Sequence, residues 1–196
     1  MCGAPAEIDR PIKTEIEMAT NYIKGNLIDP VTIDEAGTWI MTGSSTFIIP
    51  GDINNLHSGI QTLQGAGAID LIVRGDITMG GALDSGVMIE SNDAQVTIGA
   101  YSNIVAAYGV KSANFVAETS VVNAGIINSS FAGIFQDASV SHVTNEAGGT
   151  ITGGFAGVMS GPNNAGDSFN LVNEGDISGV SFAISIDDAN ANIVNR

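Results

Sequence analysis

The sequence predicts an all-β fold, a right-handed parallel β-helix of about six to seven coils. A phrase recurs six times, in which an isoleucine is followed, after a short polar stretch, by a small residue and a β-branched aliphatic residue. Successive isoleucines lie 24, 27, 23, 24 and 26 residues apart, and a period in the twenties is typical of stacked-coil solenoids. The isoleucines are Ile53, Ile77, Ile104, Ile127, Ile151 and Ile177, and the answering pairs are Gly59-Ile60, Gly86-Val87, Gly109-Val110, Gly133-Ile134, Gly157-Val158 and Ala183-Ile184.

Composition supports a core of thin aliphatic layers. Of the 196 residues, 44% are hydrophobic but only 6% are aromatic, and 25 are glycine. This length suits one domain with a large core. The single cysteine, Cys2, excludes an intrachain disulfide, so we expect stability to come from packing. Since no apolar run approaches about 18 residues, no membrane-spanning helix is expected.

The charge of the chain is strongly acidic. There are 21 acidic residues against 6 basic ones, which gives a net charge of −15. Between Gly37 and Asn195 the cations are Arg74 and Lys111. Nucleic-acid binding needs a basic face, and attraction to anionic lipid needs clustered cations, so neither class of partner is expected. Cations, glycans or neutral surfaces remain as partners.

Residues 1–36 differ from the rest and are predicted to form an N-terminal cap, whereas residues 37–196 form the β-helix. A solenoid needs a distinct terminal element to cover its first coil. Residues 14–24 are compatible with a short helix that ends at Gly25, or with a strand in which Ile12, Thr14 and Ile16 alternate. A Sec-type signal peptide is not visible. The protein is therefore expected to stay inside, to have lost its signal, or to be exported through a C-terminal signal.

From Gly37 onward the sequence predicts short strands. Residues 39–42 and 46–49 are rich in strand-forming side chains, and a turn follows at Pro50-Gly51. Each later repeat is interpreted as three short strands joined by tight bends. Because side chains alternate between the two faces of a strand, Val121, Ile127 and Ile134 are expected to point inward from one coil.

Two ladders of like side chains are expected, since stacked coils lie about 4.8 Å apart. Amides of one asparagine series can bond the coils above and below at a bend. A second series is aromatic, with a spacing that suits offset ring packing. Both series are interpreted as structural. They are Asn123, Asn145, Asn173 and Asn195, and Tyr108, Phe131, Phe155 and Phe182.

Residues 173–184 (NEGDISGVSFAI) and 145–158 (NEAGGTITGGFAGV) resemble the N-x-G-x-I-x-G-x-x-x-G-I repeat of bacterial surface β-helices. That group contains the passengers of autotransporter adhesins and the repeat regions of RTX-type secreted proteins. The resemblance covers roughly residues 50–196 and implies an extracellular or cell-surface adhesin, fibre or scaffold. Some β-helices are polysaccharide lyases, hydrolases or epimerases. The RTX calcium-binding nonapeptide G-G-x-G-x-D is absent, so calcium binding of that kind is not implied.

Candidate catalytic residues are few. A glycoside hydrolase needs two carboxylates that flank the scissile bond, and Asp187-Asp188 is an adjacent acid pair in the last complete coil. Neighbours on a strand point to opposite faces, so a solvated turn is the favoured interpretation of that pair. A uronate lyase needs cations against the substrate carboxylate. The candidates are Arg74 and Lys111, which occupy different positions in the repeat.

Candidate metal ligands are equally sparse. Asp52 and Asp76 each precede a key isoleucine of neighbouring repeats, so they are expected to face outward about 4.8 Å apart. Ca²⁺ between these carboxylates would relieve their repulsion, and a hydrated surface pair is the favoured alternative. His57 and His142 have no ligand-type neighbour at metal-binding spacing in the sequence, and both are interpreted as isolated.

The sequence therefore predicts a non-catalytic extracellular structural or adhesive β-helix, either self-assembling end to end into filaments or part of a larger secreted protein. The alternative is a polysaccharide-active β-helix enzyme. Residues 193–196 open a new repeat, so we expect an uncapped coil whose strand edge can pair with another copy. Function is expected where the repeats disagree, at residues 77–87, at residues 161–166 and at the C-terminal coil.

Overall fold

A computed structural model describes residues 20–24, 31–35, 37–42, 45–47, 58–81, 83–162, 166–187 and 190–196. The described residues contain no helix and form a parallel β-solenoid of about 6 turns, as the repeat predicts. The strands are β1 (Thr20–Lys24), β2 (Val31–Ile33), β3 (Gly37–Thr42), β4 (Ser45–Phe47), β5 (Ser58–Thr62), β6 (Ile69–Val73), β7 (Ile77–Met79), β8 (Ser85–Ile89), β9 (Ala94–Ile98), β10 (Asn103–Ser112), β11 (Glu118–Asn123), β12 (Ile126–Gln136), β13 (Val140–Asn145), β14 (Thr150–Gly153), β15 (Ala156–Ser160), β16 (Ser168–Asn173), β17 (Asp176–Gly179), β18 (Phe182–Ser185) and β19 (Asn190–Asn195).

Two sheets run along the solenoid. The 8-stranded sheet has the order β1-β3-β6-β9-β11-β13-β16-β19. The 11-stranded sheet contains the remaining strands, and every pairing in both sheets is parallel. Neighbouring coils are thus joined along their length by backbone hydrogen bonds. The described strands that end the 8-stranded sheet are β1 and β19.

The inner wall consists of rows of aliphatic side chains, one residue from each coil. In the inner coils these rows are buried because side chains alternate along each strand and every coil repeats the same inward positions, whereas Ile177 and Ile184 of the last coil are half-buried and Ile193 is exposed. One row is Ile77, Ile104, Ile127, Ile151 and Ile177. A second is Ile60, Val87, Val110, Ile134, Val158 and Ile184. A third is Leu71, Val96, Val121, Val143, Leu171 and Ile193.

Of the first predicted phrase, Ile60 is in register with the later phrases, since it pairs with Val87. Ile77 pairs with Ser45, not with Ile53, and Ile53 lies outside the described residues. The bend between β3 and β4 has two residues, and the equivalent bend between β6 and β7 has three. Because these bends are nearly equal in length, Ser45 at the start of β4 lies beside Ile77 at the start of β7. The extra residues of that coil fall between β4 and β5 instead.

Part of the predicted N-terminal segment belongs to the solenoid sheets. Residues 20–24 form β1, which pairs in parallel with β3, so the strand alternative holds for these residues and the helix alternative does not. Strand β2 pairs with β5 in the other sheet. Residues 1–19 lie outside the described part of the chain, and the capping role of residues 1–36 stays a prediction.

Candidate functional site

The four asparagines of the predicted series lie in register at the C-terminal ends of four strands. The Nδ2 atom of each of the first three donates to the Oδ1 atom of the asparagine in the following coil. The distances are 2.8 Å from Asn123 to Asn145, 2.8 Å from Asn145 to Asn173, and 2.6 Å from Asn173 to Asn195. Nδ2 also donates to a bend carbonyl, for example from Asn145 to Gly149 at 3.2 Å. Since a carbonyl only accepts, this second bond fixes the direction of the whole series.

The asparagine ladder has two unlike ends. In the preceding coil its row continues as Ile98, and the buried Oδ1 atom of Asn123 has no hydrogen-bond partner among the described residues. At the other end Asn195 is exposed, and its Oδ1 atom already accepts from Asn173. The ladder therefore directs its last amide donor toward the C-terminal end of the solenoid.

The aromatic series lies outside the core, along one corner of the solenoid. Ring centroids are 5.2 Å apart for Tyr108 and Phe131, 5.4 Å for Phe131 and Phe155, and 5.4 Å for Phe155 and Phe182. Only the middle pair is stacked, with an interplanar angle of 10°. Tyr108 pairs in register with Ala132, because β12 contains one more residue than β10 at this point. Neighbouring rings cover one another, so we interpret the series as packing between coils.

Lys111 extends over this aromatic corner. Its Nζ atom lies 4.7 Å from the centre of the Tyr108 ring and 5.6 Å from that of Phe135. Desolvation by burial lowers the pKa of Lys111, and the negative charge of Asp137 opposes that shift. Burial also raises the pKa of Tyr108. The sequence analysis did not predict that Phe135 and Asp137 lie near Lys111, since outward-facing positions have no regular pattern of hydrophobic residues.

The described residues do not test either predicted acid pair, because each pair has one member outside them. Asp187 is exposed, and its backbone N–H donates to Ser160 Oγ at 2.8 Å, while Asp188 lies outside the described residues. Asp76 Oδ1 accepts the backbone N–H of Asn103 at 3.0 Å, which joins one coil to the next. Asp52 also lies outside the described residues.

His142 is not isolated, contrary to the sequence interpretation. Its Nε2 atom lies 3.5 Å from Glu118 Oε1 on the neighbouring coil. The two residues are 24 positions apart, which is one coil, so the contact is created by stacking. His57 lies outside the described residues. Across the described ranges, no group of three or more His, Cys, Asp or Glu side chains is arranged to hold a metal ion.

The two cations proposed for a lyase stay apart in the repeat. Arg74 is exposed at the bend after β6, and Lys111 is on the outward side of β10. The arrangement provides no shared cluster of these two side chains with Asp187, which is in the last coil. Each candidate is therefore a separate surface position.

The last coil exposes residues whose partners in the preceding coil are buried. Ile193 is 46% exposed, whereas Leu171, its neighbour in the same row, is 0% exposed. Phe182 is 49% exposed, and its partner Ala156 is 0% exposed. Within the described residues β17, β18 and β19 each pair along one edge only. This open end, defined by β17, β18 and β19, combines apolar side chains with unpaired strand edges.

From Ile60 to Val158, a glycine precedes each member of the second aliphatic row. A Cβ atom on Gly157 would lie 2.6 Å from Ile177 Cγ2 and 2.7 Å from the Ala183 carbonyl oxygen, both in the next coil. A Cβ atom on Gly133 would lie 2.6 Å from the Gly157 carbonyl oxygen. Gly86 and Gly109 face the next coil in the same way. The equivalent residue of the last coil is Ala183, which is exposed.

Comparison of the chain with protein-family models, curated proteins and solved structures found no match. The solenoid geometry is compatible with a β-helix repeat protein. In the part of the chain that the structure describes, no helix has the length and apolarity to cross a membrane. The open end is the surface that departs most from the repeating pattern, and we take it as the candidate functional site.

Proposed function

We propose that the protein is a non-catalytic structural or adhesive β-solenoid that associates end to end through its open end. The partner in this proposal is a second copy of the same chain. The resemblance of residues 145–158 and 173–184 to bacterial surface repeats supports a place outside the cell, where glycans or cell surfaces are further partners. Stacked coils supply a rigid scaffold for that role.

The observation that carries the proposal is the exposure of core rows at β17, β18 and β19. Each inner coil buries the same rows against a further parallel coil, and the first described coil of a second copy, β1 with β2, is likewise parallel to its neighbours. Exposed apolar area favours association, and an unpaired strand edge supplies backbone donors and acceptors. A second copy can continue the 8-stranded sheet, because β1 and β19 are its two described ends and both run in parallel with their neighbours.

Sedimentation velocity over a concentration series tests the proposal. We expect the wild-type weight-average mass to rise with concentration, and Ile193→Lys to abolish that rise because it places a charge among the exposed core rows. Asn192→Lys is the matched control, since it adds the same charge to the same strand at a neighbouring position, and it should associate as the wild type does. A wild-type protein that remains monomeric at every concentration would overturn the proposal, as would equal effects of the two lysines.

A further inference from the structure

Ala183 stands in the last coil at the position that glycine occupies in the five coils before it. In four of those coils, at Gly86, Gly109, Gly133 and Gly157, the space of the missing Cβ is taken by the following coil's isoleucine methyl and carbonyl oxygen. The two coils pack tightly at Gly157, because a Cβ atom there would lie 2.6 Å from the isoleucine methyl and 2.7 Å from the carbonyl oxygen. Such separations are well inside van der Waals contact, so the following coil would have to move.

We propose that Ala183 limits how tightly a second copy stacks on the open end. This inference rests on the proposed function. A coil placed over β18 in the internal register meets the Ala183 methyl where the inner coils meet no side chain. The junction between copies is therefore looser than the junction between coils of one copy. Association is weak and reversible instead of a continuous extension of the solenoid.

The position of Ala183 confines its effect to one side of the open end. Ala183 precedes Ile184 of the second inner row on β18, whereas Ile193 lies on β19 in the other sheet. The β19 edge thus remains available for parallel pairing while β18 resists close approach. Features that hinder pairing along a strand edge protect proteins in general against unlimited edge-to-edge aggregation.

Replacement of Ala183 by glycine tests the inference. We expect Ala183→Gly to strengthen self-association by about tenfold or more, the effect expected when one overpacked methyl group is removed. Ser181→Gly is the matched control, because it adds similar backbone freedom at an exposed bend of the same coil. It should leave association at the wild-type level. Ala183→Val should weaken association below that level, and melting curves establish that all three variants are folded.

The outcomes separate the two proposals. If the wild type associates and Ile193→Lys does not, but Ala183→Gly matches the wild type, the role of Ala183 is wrong and the proposed function stands. If the wild type and Ala183→Gly both remain monomeric, the proposed function itself fails. If Ser181→Gly strengthens association as much as Ala183→Gly, backbone freedom and not the methyl group is responsible, which also overturns the inference.

Discussion

Lys111 shows how a single side chain acquires its properties from neighbouring coils. Its ammonium group lies 4.7 Å from the Tyr108 ring centre, and Phe135, on the next coil, is its partner in register. The partly buried site disfavours the charged form, which lowers the pKa of Lys111 even though Asp137 stabilises the charge. None of these partners adjoins Lys111 in the sequence except Tyr108, so the environment is a product of stacking.

The lowered pKa predicts how stability depends on pH. Because the pKa is lower in the folded state, the unfolded chain binds more protons between the folded value and the ordinary lysine value of about 10.4. With respect to Lys111, the free energy of unfolding is therefore highest when the pH is above the ordinary value. It decreases as the pH falls towards and through the folded value. Urea unfolding from about pH 8 to about pH 10 should therefore show the wild type gaining stability relative to Lys111→Met as the pH rises.

Arg74→Met is the control for this measurement, because it removes one positive charge from an exposed bend. Arginine does not titrate in this range, so the stability difference between wild type and Arg74→Met should stay constant with pH, unlike the difference between wild type and Lys111→Met. Tyr108 is present in all three proteins and cancels in the comparison. Parallel pH profiles for the wild type and Lys111→Met would contradict the assignment.

At the scale of the strands, the asparagine ladder joins β11, β13, β16 and β19 at the same bend. Asn145 has a central place in it, since it accepts from Asn123 and donates to Asn173, each at 2.8 Å. Asn123 and Asn145 are fully buried, and Asn195 is exposed at the open end. We therefore expect the buried asparagines to contribute more to the free energy of unfolding than the exposed Asn195.

Asn145→Leu is expected to destabilise the protein by about 2–4 kcal/mol, because it removes one acceptor of the buried Asn123 Nδ2, the donor to Asn173 Oδ1 and the bond to the Gly149 carbonyl. Asn195→Leu, at the exposed end of the same ladder, should cost less than about 1 kcal/mol. Urea unfolding of both variants provides the comparison. An Asn145→Leu protein as stable as Asn195→Leu would show that the ladder bonds contribute little.

Like residues at a coil-length spacing made the ladders and the inner rows predictable from sequence. The pairing of Ser45 with Ile77 was not, because ten residues separate β4 from β5 but five separate β7 from β8, so the sequence spacing pointed to Ile53. The contact of His142 with Glu118 was also missed. Polar residues on an outward face show no periodic pattern in the sequence. Their contacts can be identified only when the residue pairing between neighbouring coils is known.

At the scale of the whole molecule, a solenoid differs from a closed barrel in having two ends. The lateral strand edges are paired within the chain, so the open end concentrates the unpaired edges of the last coil. The net charge of −15 opposes approach of two copies at low ionic strength, and physiological salt screens this repulsion. Apolar rows at the end and a strongly acidic chain together favour contact at one place over general aggregation.

Hydrogen–deuterium exchange at low and high protein concentration tests most directly whether the open end is the contact surface. We expect amides of residues 176–196 to become more protected as the concentration rises, because the free edges of β17, β18 and β19 gain partners. Amides of the inner strands β9 to β12 should exchange equally at both concentrations, since their edges are already paired. Unchanged exchange at residues 176–196, while the mass shows association, would contradict the account.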